Sequence, residues 1–344
     1  NVIREIDGRI FNKAEKRWEV PVENVVECWD ALKLAGFIAD IDVIQAYEAR
    51  KKELDAGAEI KKTDSPYVGK LPRYDFQKNG AAFLRALPAA LLADVPGLGK
   101  PLQTCACFED CTGQVLIFVP ASLKFNWHDE IKKWLPGDKV LVIHGNKKER
   151  TEQWAYAVKG HPRGNGRQYP KWVIANYELL LHDIEQMTLE KEWDGIVCDE
   201  ADRIANPFAQ TTRSLKRLRA KKRVALTGTP ISNTPDDLYS IVDWLYPRYL
   251  GTFSQFQKKY CVFKEFETFT GGRTQKFKRV IQYTNLEQLR ARVDPIMLRR
   301  LKEEVLTDFP AKTVEYVKFD LSKEERKLYE SIKKMVLEEI RQMA

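Results

Sequence analysis

Three short segments carry residue types whose spacing suits phosphate chemistry. In Ala93-Asp94-Val95-Pro96-Gly97-Leu98-Gly99-Lys100 the glycines let backbone N–H groups close on phosphate oxygens. A helix starting there adds its partial positive charge, and Lys100 can reach the terminal phosphates. Taken alone, such a turn also suits an ordinary strand-to-helix connection. Further along, Gly195-Ile196-Val197-Cys198 leads into Asp199-Glu200-Ala201-Asp202. A paired carboxylate there can divide the work: Asp199 holds Mg²⁺, usually through its water shell, and Glu200 orients or deprotonates an attacking water. Leu226-Thr227-Gly228-Thr229-Pro230 ends a third apolar run with hydroxyls able to bond to the acidic pair and register its state. Upstream of the phosphate loop, Phe76-Gln77 with Gly80 is a candidate adenine clamp, because an amide offers a base edge both a donor and an acceptor.

These segments need a scaffold that brings them together, and the apolar runs supply one. Ala90 to Ala93, Val115 to Val119, Trp172 to Ile174, Gly195 to Cys198 and Val224 to Leu226 are uniformly apolar, as strands buried on both faces of a parallel sheet are. Ligands of such sheets gather beyond the carboxyl ends of the strands, where each polar segment falls. Phe253 to Leu289 reads as an excursion with a hairpin turning at Gly271-Gly272. Ser322 with Glu325 makes a capping box for a terminal helix whose apolar face is Leu328, Ile332, Val336, Ile340 and Met343. Residues 1 to about 66 read as a separate small α+β unit. A hairpin flanks Asn12 to Lys16, a helix carries Val43 to Leu54, and the polar stretch Lys61 to Pro66 closes the unit.

Bulk composition narrows the class. In 344 residues, 57 Lys+Arg against 49 Asp+Glu give a formal charge of +8, which favours a polyanionic partner without specifying one. Cys105, Cys107 and Cys111 lack a second Cys/His pair at zinc spacing, so buried thiols are the expectation. No apolar run approaches a membrane span and no signal-peptide core is present. The expected location is cytoplasmic for a bacterial or phage protein and nuclear for a eukaryotic one. The basic run Arg213 to Arg223 reads either as a track for a phosphate backbone or as a solvated helix end, the simpler account.

In this order the segments resemble the first motor lobe of Swi/Snf-type superfamily-two ATPases. Val119-Pro120-Ala121-Ser122-Leu123 with Asn126-Trp127 and Glu130 looks like the family's motif Ia, and Asn176-Tyr177-Glu178 like Ib. Arg203-Ile204-Ala205-Asn206 looks like the extension of its acidic box. Met297-Leu298-Arg299-Arg300 with Lys302, Glu304-Val305-Leu306 and Pro310 looks like the segment leading out of lobe one. The resemblance covers roughly Leu71 to Ala344. It implies a RecA-like α/β lobe spanning about 67–311, followed at 312–344 by a linker and the start of a second motor lobe. It also implies ATP and Mg²⁺ as cofactors and duplex or branched DNA as partner, with no membrane. By residue, it places ATP binding on Phe76, Gln77, Gly97, Leu98, Gly99, Lys100 and Pro101, with Lys100, Asp199 and Glu200 catalytic. Asp202, Thr227, Gly228 and Thr229 couple the site to movement, and Pro120, Ser122, Asn176 and Tyr177 match positions near the DNA path. The segment with Asp7-Gly8-Arg9-Ile10-Phe11 and Trp18-Glu19-Val20-Pro21 is similar to the HepA-related (HARP) modules of annealing helicases.

The chain departs from the family pattern in three places. Pro101 stands where the family has threonine, removing an expected Mg²⁺ ligand and a backbone N–H, although proline is tolerated in a first helical turn. Asp202 stands where Swi/Snf proteins usually have histidine, as it does in other superfamily members. No second-lobe motif, and so no arginine finger, follows Arg300, a loss worth on the order of 10³ in rate. The leading expectation is an ATP-dependent DNA translocase, with this stretch alone hydrolysing weakly. A nucleotide-gated, hydrolysis-impaired DNA-binding module and a helicase subunit of a restriction or defence complex are the alternatives.

Overall fold

The computed structural model describes Ile3, Gly69, Leu71 and residues 6–62, 74–163, 166–188, 191–231, 234–270, 273–305 and 320–343. Seven parallel strands form its central sheet: β1 (Ala89–Leu92), β2 (Val115–Val119), β3 (Val140–Val142), β4 (Trp172–Asn176), β5 (Glu192–Asp199), β6 (Arg219–Leu226) and β7 (Met297–Leu298). Their spatial order is β7-β1-β6-β5-β2-β4-β3. Alternation explains why both faces bury: Leu91, Phe118, Ala175, Cys198 and Ala225 enter one core, while Leu92, Val119, Ile174, Val197 and Leu226 enter the other. Helices α3 (Asp75–Ala86), α4 (Lys100–Cys107) and α5 (Lys124–Trp134) supply Phe83, Cys105 and Trp127 to the second core. The first core is filled largely by Trp154 and by Leu238 to Leu250.

The expected parallel α/β sheet is present. The short strands β3 and β7 lacked a long apolar run and were not anticipated. Burial raises the Cys105 and Cys107 thiols to about 12 and about 11, as inert core cysteines require. Three or more potential metal ligands nowhere cluster among the described residues. None of the described helices is long and apolar enough to cross a membrane.

Asn1–Val305 forms one compact unit and Leu306–Ala344 a second. The boundary expected near residue 66 falls within 63–68, which lie outside the described residues. Within 1–62 the expected hairpin (Ile10–Asn12 with Arg17–Glu19) is followed by α1 (Val25–Leu34) and α2 (Ile41–Ile60). These residues are pinned to the lobe by polar contacts. The buried Asn24 amide donates to the carbonyls of Asp7 (2.8 Å) and Arg248 (3.0 Å) and accepts from Arg292 (2.8 Å). Lys259 pairs with Asp7 at 3.0 Å, and Arg292 pairs with Glu27.

The excursion is a helix, Phe253–Tyr260, followed by antiparallel strands Cys261–Thr270 and Arg273–Tyr283, with the expected Gly271-Gly272 turn outside the described residues. In the second unit the capping box forms, Ser322 and Glu325 exchanging bonds of 2.9 and 3.3 Å, and the helix runs Lys323–Met343. Leu306 and Pro310 of the exit motif are outside the described residues.

The basic run divides. Arg213 lies within a short helix (Gln210–Leu215), but Lys222 and Arg223 lie on β6 and turn inward. Lys222 donates to the carbonyls of Leu84 (2.8 Å) and Arg85 (3.1 Å) at the carboxyl end of α3, satisfying acceptors the helix leaves open. Asn24→Ala should destabilise the protein by about 2 kcal/mol, because it removes three bonds made by a buried side chain. Urea unfolding measures this, and an unchanged midpoint would show that the N-terminal contacts carry no weight.

Candidate active site

The phosphate loop grows out of β1. Gly97 (φ +94°) and Gly99 (φ +76°) both occupy left-handed backbone that side chains resist, which lets residues 95–99 curl into the start of α4. Pro101 sits in the first turn of α4 and the helix forms around it. Lys100 is 8% exposed and donates to the Asp94 carbonyl at 2.9 Å, which holds its ammonium over the loop.

A buried carboxylate fixes the shape of that loop. Asp94 is fully buried and accepts from Arg300 Nε (3.0 Å), Arg300 Nη2 (2.5 Å) and Gln103 Nε2 (3.1 Å). Arg300 also donates to Gln103 Oε1 at 2.8 Å and to the Phe76 carbonyl, and its guanidinium lies 5.5 Å from the Phe76 ring centre. Gln103 returns a bond to the Leu98 carbonyl at 3.1 Å. One arginine beyond β7 therefore ties together α3, the phosphate loop and α4. Glycine at 80 is what lets α3 approach, since a Cβ there would lie 1.6 Å from Gln103 Oε1 and 2.8 Å from Arg300 Nη2.

Gln77 reaches over Gly99 and donates weakly to the Leu98 carbonyl at 3.4 Å, while its buried Oε1 has no partner. That unpaired acceptor suits a base-edge donor. Together with the glycine cradle and Lys100, it makes this site fit a nucleoside triphosphate.

The acidic pair emerges from β5. The Asp199 carboxylate is 7% exposed and accepts from the Trp127 indole at 2.7 Å, while its carbonyl accepts from the Tyr177 hydroxyl at 2.7 Å. Burial raises its pKa, against the Trp127 bond and the Lys100 charge. Glu200 adopts φ +49°, an uncommon conformation for a side chain with a Cβ, and sits where strain is often stored at functional sites. Its pKa is raised by burial and by Asp199, again opposed by Lys100. The charge of Lys100 thus acts on both carboxylates, and the three groups share one end of the sheet.

They do not, however, lie on neighbouring strands. Leu298, Leu92, Leu226 and Asp199 stand level across β7, β1, β6 and β5, so β6 separates the phosphate loop from the acidic pair. Two strand spacings put the tips roughly 10 Å apart. The β6 loop fills the interval. Gly228 packs so tightly on Pro96 that a Cβ would fall 2.9 Å from it, and its carbonyl accepts from Arg299 at 3.2 Å. The Thr227 hydroxyl accepts from the Thr229 amide at 3.1 Å rather than bonding to the carboxylates. Contact of Gly228 with Pro96 joins this loop to the phosphate loop. Asp202 lies in the single turn Ala201–Ile204 after Glu200, and its charge raises both carboxylates.

Of the four residues placed near the DNA path, two are committed elsewhere. Tyr177 is buried with its hydroxyl on Asp199. Asn176 is 9% exposed, accepts from Lys124 at 3.0 Å and donates to Glu178 at 2.6 Å. Tyr177 thereby supports the acidic strand, while Asn176 ties α5 to the residues after β4. Pro120 is half-buried, and Ser122 is exposed in the turn after β2. Residue types alone did not disclose the roles of Asp94, Gln103, Trp127 and Arg300. The available signal was Asp94, a charge set directly against a buried strand and so in need of a partner.

The SNF2-related domain family matches residues 76–344, and the chain belongs to that family. Its RecA-like lobe is a Swi/Snf-type, helicase-like ATPase domain. Helicase SWR1 of Cryptococcus neoformans is 33% identical over 299 residues, covering 82% of this chain and 23% of that protein. An uncharacterized ATP-dependent helicase of Mycoplasma genitalium, MG018, is 31% identical over 81% of this chain and 25% of its own length. The chain thus spans about a quarter of these relatives. The Sulfolobus solfataricus SWI2/SNF2 ATPase core in complex with dsDNA superposes with a TM-score of 0.54 at 31% identity, over 72% of this chain and 48% of that one.

Two measurements test the geometry. Gly80→Ala should displace Gln103 and Arg300 from Asp94 and weaken ATP binding about tenfold, roughly 1.4 kcal/mol, in a fluorescent-nucleotide titration. Unchanged affinity would dissociate the Arg300 network from the nucleotide site. Asp199, with its folded pKa raised, binds more protons folded than unfolded, so its contribution to stability falls as pH rises from about 3.9 through the raised value. Asp199→Asn should therefore raise the Tm at pH 7.5 and lose that advantage as pH approaches 4.

Proposed function

We propose that this protein is an ATP-driven translocase on DNA, in which this lobe binds and hydrolyses the nucleotide. The observation that carries the reading is the electrostatic convergence of Lys100 with Asp199 and Glu200 at one end of the sheet. Lys100 neutralises phosphate charge, and the glycine loop donates backbone N–H groups around it. Glu200, its pKa raised, receives a proton from the attacking water. Asp199 would hold a Mg²⁺ ion through the ion's water shell, and that ion would supply neutralisation of phosphate charge. Pro101 contributes no hydroxyl to that ion.

DNA as the track is supported by the dsDNA complex of the Sulfolobus core and by the exposed Ser122 turn beyond β2. A second motor lobe in cis would supply the arginine that completes charge stabilisation. The N-terminal hairpin, with Trp18 against Phe11 at 5.1 Å and Arg9 over the Trp18 ring, supports an accessory DNA-engaging role like that of HARP modules.

The test is phosphate release by the full-length protein with and without duplex DNA. Wild type should show DNA-stimulated turnover, and Glu200→Gln should lower it by roughly 10² or more while still binding ATP. Pro101→Thr should raise the rate by adding the missing metal ligand. Equal background rates in all three proteins would sink the motor and leave a nucleotide-gated DNA-binding module.

A further inference from the structure

A second polar cavity lies at the opposite end of the sheet from the phosphate loop. It has a volume of about 350 Å³ and opens between α2, the turn Val22–Asn24, the first residue of β1 and the early part of β6. Two arginines from different parts of the chain line it: Arg50 of α2, and Arg223, the last member of the basic run.

Arg50 is only 6% exposed. Its Nη1 donates to Glu53 at 3.0 Å, and its guanidinium lies 4.3 Å from the Tyr246 ring centre. The remaining donors, Nε and Nη2, are buried without an acceptor. In arginine these two N–H groups point the same way and form one planar fork, the arrangement that matches two oxygens of a phosphate or carboxylate. Arg223 donates Nη1 to the Trp244 carbonyl at 3.1 Å, and its Nε is likewise buried and unpaired.

A buried donor left without an acceptor costs roughly as much as a lost hydrogen bond, and a charged one more. Three such donors around a single cavity are costly together unless something accepts from them. The ring face of Tyr246 offsets the charge of Arg50, while its hydroxyl donates to the Ala89 carbonyl and accepts from the Ala89 amide at 3.3 Å. The other charged lining residues are Glu23, Glu53 and Lys221, and Lys221 is paired with Asp194 at 2.8 Å. With Lys221 committed to Asp194, Arg50 and Arg223 balance Glu23 and Glu53, so the unpaired donors, and not net charge, call for an acceptor.

We propose that this cavity binds a tetrahedral oxyanion, a phosphate or a small phosphate monoester, with two oxygens on the Arg50 fork and a third on Arg223 Nε. A carboxylate would satisfy the fork and leave Arg223 unpaired, so three donors favour phosphate. The ligand would bridge the N-terminal segment and the lobe, and its binding would stabilise their docking.

The test uses the full-length protein carrying Lys100→Ala, so that the phosphate loop no longer competes. Thermal unfolding is followed while inorganic phosphate, or a 5′-mononucleotide in a parallel arm, replaces chloride at constant ionic strength. Saturating ligand should raise the Tm by about 2–4 °C. The arm with the larger shift identifies the free anion or the monoester. Arg50→Lys, which keeps the charge and removes the fork, should abolish most of the shift, as should Arg223→Lys. A shift of equal size in both lysine variants, or none in the parent, overturns the proposal. Should either variant fail to fold, tungstate soaked into crystals of the parent protein decides: an anomalous peak between Arg50 and Arg223 supports the site, and its absence there refutes it.

Discussion

Asp94 is a charge with no access to water, placed at the end of a strand that is apolar on both faces. Burying a carboxylate is prohibitive unless a cation and further donors meet it, and Arg300 and Gln103 do so. Because Arg300 comes from beyond β7, meeting that requirement draws the sheet edge against the phosphate loop. The amide of Ala93 bonds to Leu298 at 2.7 Å and that of Val95 to Arg300 at 3.3 Å, extending the pairing past β1. Once the loop is held, Lys100 is held as well, since its ammonium rests on the carbonyl of the same aspartate.

The acidic strand is secured in a different way. Trp127 and Tyr177, from the segments after β2 and β4, each spend their one polar group on Asp199. Aromatic residues suit this position because their bodies enlarge the core while the Trp127 N–H orients the carboxylate and the Tyr177 O–H holds the backbone carbonyl. Burial raises the pKa values of Asp199 and Glu200, and Lys100 opposes that rise. A base whose proton affinity lies above that of free glutamate is better matched to water activation near neutral pH. Asp199 thus carries a stability penalty and Glu200 an uncommon backbone conformation, both of which the proposed hydrolytic role would use.

Between these two anchored segments the β6 loop is confined rather than bonded. Glycine at 228 allows contact with Pro96, and the level register of Leu92, Leu226 and Asp199 sets the spacing. A change at the phosphate loop would meet this loop before it met the carboxylates. Contact between the phosphate loop and the β6 loop is thus steric.

By itself the sequence determined the class of fold and the chemistry of the main site. Uniformly apolar runs announce strands buried on both faces, and Gly97, Gly99, Lys100, Asp199 and Glu200 announce phosphate handling, because backbone freedom and charge are properties of residue type. Tertiary structure alone decided which polar groups face ligand and which face protein. Asn176 and Tyr177 have suitable chemistry for a DNA backbone, but packing bonds Asn176 to Lys124 and Glu178 and turns Tyr177 toward the acidic strand. Likewise Arg213 and Arg223 belong to one basic run, yet only Arg223 is carried on β6 into a cavity with Arg50. The strand order that places β6 between the two halves of the site follows from which edges pair, a choice among long-range contacts that no local pattern records.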